Sequence, residues 1–82
     1  MKHRILIVED EPAITDNIQY ALETDGFVSV CFSEGKKAKE YLQNETVDLI
    51  VLDIGLPDIN GFELCKDIRK SITTPVIFLT AR

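Results

Sequence analysis

Four short apolar runs, spread along the whole chain, constrain the fold more than any other feature of the sequence. They are rich in β-branched residues and too short for helices, so each of them predicts a β-strand. The first, third and fourth show little polar alternation, which is typical of strands covered on both faces of a parallel sheet. The runs lie at residues 5–8, 27–32, 47–52 and 76–79.

The segments between these runs have the patterns of helices. Pro12 opens the first helix and Gly26 ends it. The apolar residues at helical spacing in this segment are Ile14, Ile18, Ala21 and Leu22. The second helix is predicted over residues 33–43, and the third begins at Asn60, with Glu63 at the spacing of a capping box.

The resulting order, β-α-β-α-β-α-β, predicts an α/β protein whose parallel strands are joined by right-handed crossovers. The second run is the least uniformly apolar, so we place it at an edge and expect the strand order 2-1-3-4. In this three-layer, doubly wound sheet the first helix covers one face and the other two cover the opposite face. Open sheets of this kind bind ligands beyond the carboxyl ends of the strands, where the chain reverses direction.

Size and charge exclude several classes of function. The chain has 82 residues, which allow one small domain. Its 14 acidic and nine basic residues give a net charge of −5, which argues against a nucleic-acid-binding surface. Cys31 and Cys65 form no C-x-x-C pair, and no apolar run is long enough for a membrane span or a signal peptide. We expect a cytoplasmic protein without a membrane partner.

Carboxylates follow two of the predicted strands. The first strand ends in Glu9, Asp10 and Glu11, and the third strand ends in Asp53. Because neighbouring parallel strands deliver their carboxyl ends side by side, we expect Asp10 and Asp53 to lie within a few ångströms of each other. Either one of them is protonated or a cation lies between them. Oxygen ligands with room for water favour Mg²⁺. The alternative is that Asp10 begins a helix and Asp53 forms a turn.

Two further residues lie near this edge. Gly55 has no side chain, so its backbone carbonyl can approach a metal closely, although it could equally be a turn glycine. Thr80 closes the fourth strand, next to the third, and could donate a hydrogen bond to a ligand there. A metal beside a carboxylate favours phosphoryl transfer, with Asp53 as the acceptor and an aspartyl phosphate as the product.

With these residues placed, the chain resembles the receiver domain of bacterial response regulators, the phosphoacceptor module of two-component systems. The resemblance covers the whole chain and is carried by segments that contain the predicted site. These segments are residues 5–12, 48–53, 56–58, 61–64 and 75–82. The sequences of residues 56–64 and of the final Thr-Ala-Arg are most similar to those of receivers attached to winged-helix transcription regulators.

The resemblance implies a role for each candidate residue. Asp53 would receive a phosphoryl group from a histidine kinase, and Thr80 would be the switch hydroxyl. Asp10 and Asp53 would ligate Mg²⁺ together with the backbone carbonyl of Gly55. Glu9 would reach the ion through water. Control of transcription would pass through an output domain that these 82 residues do not include.

The resemblance also implies that residues 1–82 are an incomplete receiver, since the family continues through a fourth helix, a fifth strand and a fifth helix. A single helix on one face would leave parts of the third and fourth strands uncovered there. The fourth strand would also be an unpaired edge. We therefore expect self-association as a homodimer that buries the fourth strand and the uncovered face.

Two alternatives to the phosphoacceptor remain open. Some phosphatases also use a strand-end Asp as nucleophile, but those enzymes carry an Asp-x-Asp pattern in which the second Asp is the general acid. Position 55 is Gly here, so that proton donor is absent and we expect no enzyme of this type. The other alternative is an isolated receiver fragment that folds by self-association and has no phosphorelay activity of its own.

Overall fold

The computed structural model describes residues 2–79 and confirms the predicted order of elements. The strands are β1 (Arg4–Val8), β2 (Val28–Phe32), β3 (Leu49–Asp53) and β4 (Val76–Leu79). The helices are α1 (Pro12–Thr24), α2 (Gly35–Asn44) and α3 (Gly61–Arg69). Each strand end is followed by a helix start at the same edge of the sheet, as expected for alternating parallel units.

The strands form one parallel sheet in the order β2-β1-β3-β4, which confirms the predicted order. β1 and β3 are the central neighbours and pair Val8 with Leu52. The fold is therefore flavodoxin-like, with the reversal of chain direction between β1 and β3. Residues that follow β1 and residues that end β3 meet at one edge.

β3 begins later than the apolar run that predicted it, because Asp48 makes a different set of hydrogen bonds. The Asp48 N–H donates to the Arg4 carbonyl at 2.8 Å, and the Arg4 N–H donates to Asp48 Oδ2 at 2.8 Å. This reciprocal pair joins the start of β1 to the entry of β3. It fixes the register of the two strands that bring the carboxylates together.

The larger part of the core lies between the sheet and the pair α2 and α3. Its buried residues come from β1, β3, the segments on either side of β3, and both helices: Leu6, Val8, Ala38, Val47, Ile50, Leu52, Leu56, Leu64 and Ile68. Leu6, Ile50, Leu52 and Leu64 have no exposed surface. This face carries the more extensive core, whose close packing holds the strand ends in place.

The opposite face is covered less deeply, by α1. A small cluster of Ile5, Ile7 and Val51 is buried there, with Ile18 and Leu22 of α1 packed against it. No residue of α1 is itself buried. Ala21, one of the apolar positions expected at helical spacing, is exposed because the longer side chains of Ile18 and Leu22 make the contact.

The helix ends follow the predicted signals with one difference. Gly26 has a φ of 89°, and its N–H donates to the Glu23 carbonyl. The Phe27 N–H donates to the Leu22 carbonyl, so α1 ends in a Schellman motif. Asn60 caps α3 by accepting the Phe62 N–H at 2.8 Å. The reciprocal half of the expected capping box is replaced by an ion pair of Glu63 with Lys66 at 3.6 Å.

Candidate functional site

Three carboxylates converge at the edge where β1 and β3 end. Glu9 and Asp10 directly follow β1, and Asp53 is the last residue of β3. Carboxylate oxygens of the three residues all lie within 4.8 Å of one another. The predicted proximity of Asp10 and Asp53 is therefore confirmed, and Glu9 joins them as a third member.

The three carboxylates differ in exposure. Glu9 is 3% exposed and Asp53 2%, whereas Asp10 is open to solvent. Glu9 Oε2 accepts the backbone N–H of Glu11 at 2.9 Å, which holds the Glu9 side chain against the turn that leads into α1. Buried carboxylates need such partners or a counter-charge, because transfer of an ion from water is costly. The arrangement is thus a partly enclosed acidic cluster with one exposed member.

The chemistry of these ligands suits a hard divalent cation. They offer oxygen atoms alone, two of them from buried side chains, and a cation would relieve the repulsion among three negative groups. A cleft of about 310 Å³ opens beside Glu9 and Asp10, between the first turns of α1 and the end of β2. The residues present therefore fit Mg²⁺ with solvent access from one side.

The structure leaves the other two predicted site residues as predictions. Gly55 is exposed in the loop between β3 and α3, where it forms an isolated antiparallel bridge with Asn60. Its expected role as a carbonyl ligand stays a prediction. Thr80, the expected switch hydroxyl, lies outside the described residues 2–79.

Gly61 is a residue of the site whose role the sequence did not reveal. Its N–H donates to the Ile54 carbonyl at 2.8 Å. A Cβ at this position would collide with the Asp53 carbonyl oxygen and would lie 2.7 Å from the Ile54 Cα. Only a glycine lets the start of α3 pack this closely against the backbone of the candidate acceptor.

Asp58 is a second residue with an unpredicted role. Its Oδ1 accepts the Gly35 N–H at 2.9 Å and its Oδ2 accepts the Lys36 N–H at 2.9 Å. Burial acts to raise the pKa of Asp58, but hydrogen bonds from the backbone of Lys36, Gly35 and Asp58 itself and the positive charge of Lys36 lower it below its usual value of 3.8. The sequence indicated a loop here, and nothing local could indicate that the loop binds another helix.

Comparison with known proteins identifies the family. The family model described as the response regulator receiver domain matches residues 5–82. The chain is 43% identical over 82 residues to the regulatory protein VanRc of Enterococcus gallinarum, and covers 36% of that protein. It is 40% identical over 83 residues to the alkaline phosphatase synthesis transcriptional regulatory protein PhoP of Bacillus subtilis, and covers 35% of it. The chain thus spans about a third of the length of these curated relatives.

Solved structures agree. All of the chain superimposes on a putative response regulator from Chloroflexus aurantiacus with a TM-score of 0.95 and 28% identity, covering 70% of that chain. The BeF3-activated N-terminal receiver domain of Klebsiella pneumoniae RstA gives a TM-score of 0.90 with 34% identity, over 96% of this chain and 68% of that one.

None of the helices within residues 2–79 is long and apolar enough to cross a membrane.

The family match extends over nearly the whole sequence and the strand order is that of the solved receivers. The matched range includes both strand ends that carry the acidic cluster. The chain therefore belongs to the response regulator receiver domain family of two-component systems.

Proposed function

We propose that this chain is a phosphoacceptor that receives a phosphoryl group on Asp53 from the phosphohistidine of a histidine kinase. The observation that carries the proposal is the position of Asp53, nearly buried at the end of β3 and grouped with Glu9 and Asp10 within 4.8 Å. This position supports the proposal, because a carboxylate oxygen can act as a nucleophile and a cation held by the neighbouring carboxylates would offset the charge of an incoming phosphate. The chain acts as the acceptor of the group rather than as an enzyme with a turnover of its own.

In the transfer, an oxygen of the Asp53 carboxylate forms a bond to phosphorus while the phosphorus–nitrogen bond of the phosphohistidine breaks. The electron pair of that bond returns to the imidazole, which takes up a proton. Asp10 and Asp53 would hold Mg²⁺ with the Gly55 carbonyl, and Glu9 would act through water. The ion would shield the charge between the carboxylate and the phosphate.

The product would change the charge of the edge. An aspartyl phosphate adds roughly −1.5 to −2 charge and acceptor oxygens, by analogy with other phosphorylated side chains. Thr80, which follows β4 in the sequence, would donate a hydrogen bond from its hydroxyl to one of these oxygens. The matched transcriptional regulators support control of transcription as the output, through parts of a longer protein. Among the similar solved structures, the receiver domain of Klebsiella pneumoniae RstA is BeF3-activated and the MaeR response regulator is bound to beryllium trifluoride.

The test is phosphoryl transfer from a small acyl phosphate in the presence of Mg²⁺. Intact-protein mass spectrometry should show one added phosphoryl group on the wild-type chain and none on Asp53→Asn. Asp25→Asn is the matched control, because Asp25 is exposed at the end of α1 and undergoes the same chemical change. An equal gain by Asp53→Asn would show that the acceptor is another residue.

The same experiment addresses the alternative of a fragment without phosphorelay activity. A matched relative, such as PhoP of Bacillus subtilis, is treated in parallel. If it gains the phosphoryl group and the wild-type chain does not, the chain lacks the activity on its own. Removal of Mg²⁺ with a chelator should abolish the gain, since the carboxylates alone repel the phosphate.

A further inference from the structure

The loop between β3 and α3 is attached to a helix that is distant in sequence. Asp58 lies in this loop, and its two carboxylate oxygens accept the N–H groups of Gly35 and Lys36, the first two residues of α2. These bonds span 23 and 22 positions of sequence. Asp58 therefore provides the cap of α2 from another part of the chain.

The residue that occupies the usual capping position of α2 does not provide this function. Glu34 is the N-cap by position, with φ −129° and ψ 141°, and its side chain makes no capping hydrogen bond. The first amides of α2 are donors without partners inside the helix, and a negative charge is favoured near them by the helix dipole. Asp58 meets both requirements at once.

Apolar contacts reinforce the attachment. A Cβ at Gly35 would collide with Ile59 Cγ2 and lie 3.1 Å from Leu64 Cδ2, so the loop and α3 pack directly on the start of α2. The loop is also closed at its base. Gly61 donates to Ile54, and Gly55 bridges to Asn60.

These contacts leave the loop with two fixed points. One is its base beside Asp53, and the other is Asp58 on α2. Gly55 lies between Asp53 and Asp58 in the sequence, on the segment held by both. The predicted carbonyl ligand is thus three positions from Asp58 in the sequence, on a segment that these contacts hold at both ends.

We propose that Asp58 is a positioning residue for the cation site: by capping α2 it fixes the loop that carries the Gly55 carbonyl. The inference rests on the proposed function, in which Asp10 and Asp53 hold Mg²⁺. Asp58 itself makes no contact with the cation in this scheme. Its effect on Mg²⁺ affinity passes through the backbone of the loop.

The test compares three variants of the chain by Mg²⁺ titration, followed by backbone amide chemical shifts. Asp58→Ala removes both acceptors, and we expect Mg²⁺ affinity to fall about tenfold, as for the loss of other groups that orient ligands. Asp58→Asn keeps one acceptor oxygen and should recover part of the affinity. Glu34→Ala is the matched control, because it removes the same charge at the same helix end but no capping bond.

A second measurement reads the cap directly. Hydrogen exchange at the Gly35 and Lys36 amides should accelerate in Asp58→Ala, partly recover in Asp58→Asn at whichever amide keeps its acceptor, and be unchanged in Glu34→Ala. Exchange in β1 and β3 serves as the check that each variant is folded. If Asp58→Ala unfolds the chain, Asp58→Asn is read against Glu34→Ala in the same way.

The outcomes separate the inference from the proposed function. Equal Mg²⁺ affinity of the Asp58 variants and Glu34→Ala would overturn the positioning role while the metal site stands. An Asp58→Ala variant with faster exchange at Gly35 but unchanged affinity would also overturn it, since the cap would then be structural only. A wild-type chain whose shifts near Asp10 and Asp53 do not respond to Mg²⁺ would overturn the metal site, and the inference with it.

Discussion

At the scale of single residues, two glycines close to Asp53 have opposite structural requirements. Gly61 packs against the backbone of Asp53 and Ile54, where no Cβ fits. Gly55 has nothing within 4 Å of the position where a Cβ would lie, and its φ is outside the positive range. The free space around Gly55 agrees with a backbone that faces open volume rather than packed protein.

This contrast predicts different responses to the same substitution. Gly61→Ala should destabilise the chain by about 1–3 kcal/mol, because the start of α3 must move away from Asp53. Gly55→Ala should change stability by less than about 1 kcal/mol, since its conformation is open to other residues. Urea unfolding of both variants beside the wild type measures the difference. Equal losses would mean that the close approach at Gly61 is not a tight contact.

Cys31 gives a prediction of pH dependence. Burial raises the pKa of its thiol to about 11 from 9.0, with smaller contributions from the negative charges of Glu23 and Asp16. The thiolate is the reactive form, so at pH 8 alkylation of the folded chain should be about 100-fold slower than that of the unfolded chain. The rate should rise tenfold per pH unit up to about pH 10, because each unit below the pKa removes about nine-tenths of the thiolate.

Labelling with iodoacetamide on a Cys65→Ser background, followed by mass spectrometry, measures this rate. The urea-unfolded chain is the reference. Glu23→Gln should speed the folded reaction by lowering the pKa of Cys31, because it removes a nearby negative charge. A folded rate equal to the unfolded rate at pH 8 would contradict the raised pKa of Cys31.

At the scale of elements, the two faces of the sheet are unequally packed. α3 buries Gly61, Leu64 and Ile68, whereas α1 buries no residue. The unfolding free energy that is lost when a core side chain is shortened depends on the apolar area that the side chain removed from water and on the cavity that is left. We therefore expect the two helices to contribute unequally to stability.

Truncation of one residue in each helix tests this. Leu64→Ala should cost about 2–5 kcal/mol, because Leu64 has no exposed surface and its neighbours can close the cavity only in part. Ile18→Ala, on half-buried α1, should cost less than about 2 kcal/mol. Chemical denaturation of both variants gives the comparison. A larger loss at Ile18 would show that the α1 face carries more of the stability than its burial indicates.

The elements also show how far the sequence could predict the molecule. Strand positions, strand order and the meeting of Asp10 with Asp53 followed from apolar periodicity and from the geometry of parallel strands. The burial of Glu9 and the exposure of Ala21 did not, because they depend on how closely neighbouring elements pack. The capping of α2 by Asp58 could not be predicted, since donor and acceptor are more than 20 positions apart and neither has a distinctive local pattern.

At the scale of the whole molecule, the described chain is compact yet asymmetric. Its radius of gyration is 11.8 Å, close to the value of about 12 Å expected for a folded domain of this length. β4 is an edge strand of the described sheet, and Ile77 on it is 53% exposed. Ile77 pairs with Val51 and lies on the face that α1 covers only in part.

The expected homodimer stays a prediction, and this surface provides its test. Ile77→Lys should weaken self-association, because a charge would be buried against the partner. Tyr20→Lys is the control, because Tyr20 is 76% exposed on α1 and its substitution adds the same charge at another place on the surface. Sedimentation over a range of concentrations up to tens of micromolar measures both. A monomeric, cooperatively folded wild-type chain at those concentrations would contradict the prediction.

The capping of α2 from a distance has a consequence for how this sequence can vary. Asp58 binds backbone N–H groups, so the side chain of Lys36 is free to change without loss of either bond. Gly35 has no such freedom, because Ile59 and Leu64 occupy the space beside it. A library of substitutions should therefore tolerate many residues at position 36 and few at position 35, although the two are adjacent and donate equivalent hydrogen bonds.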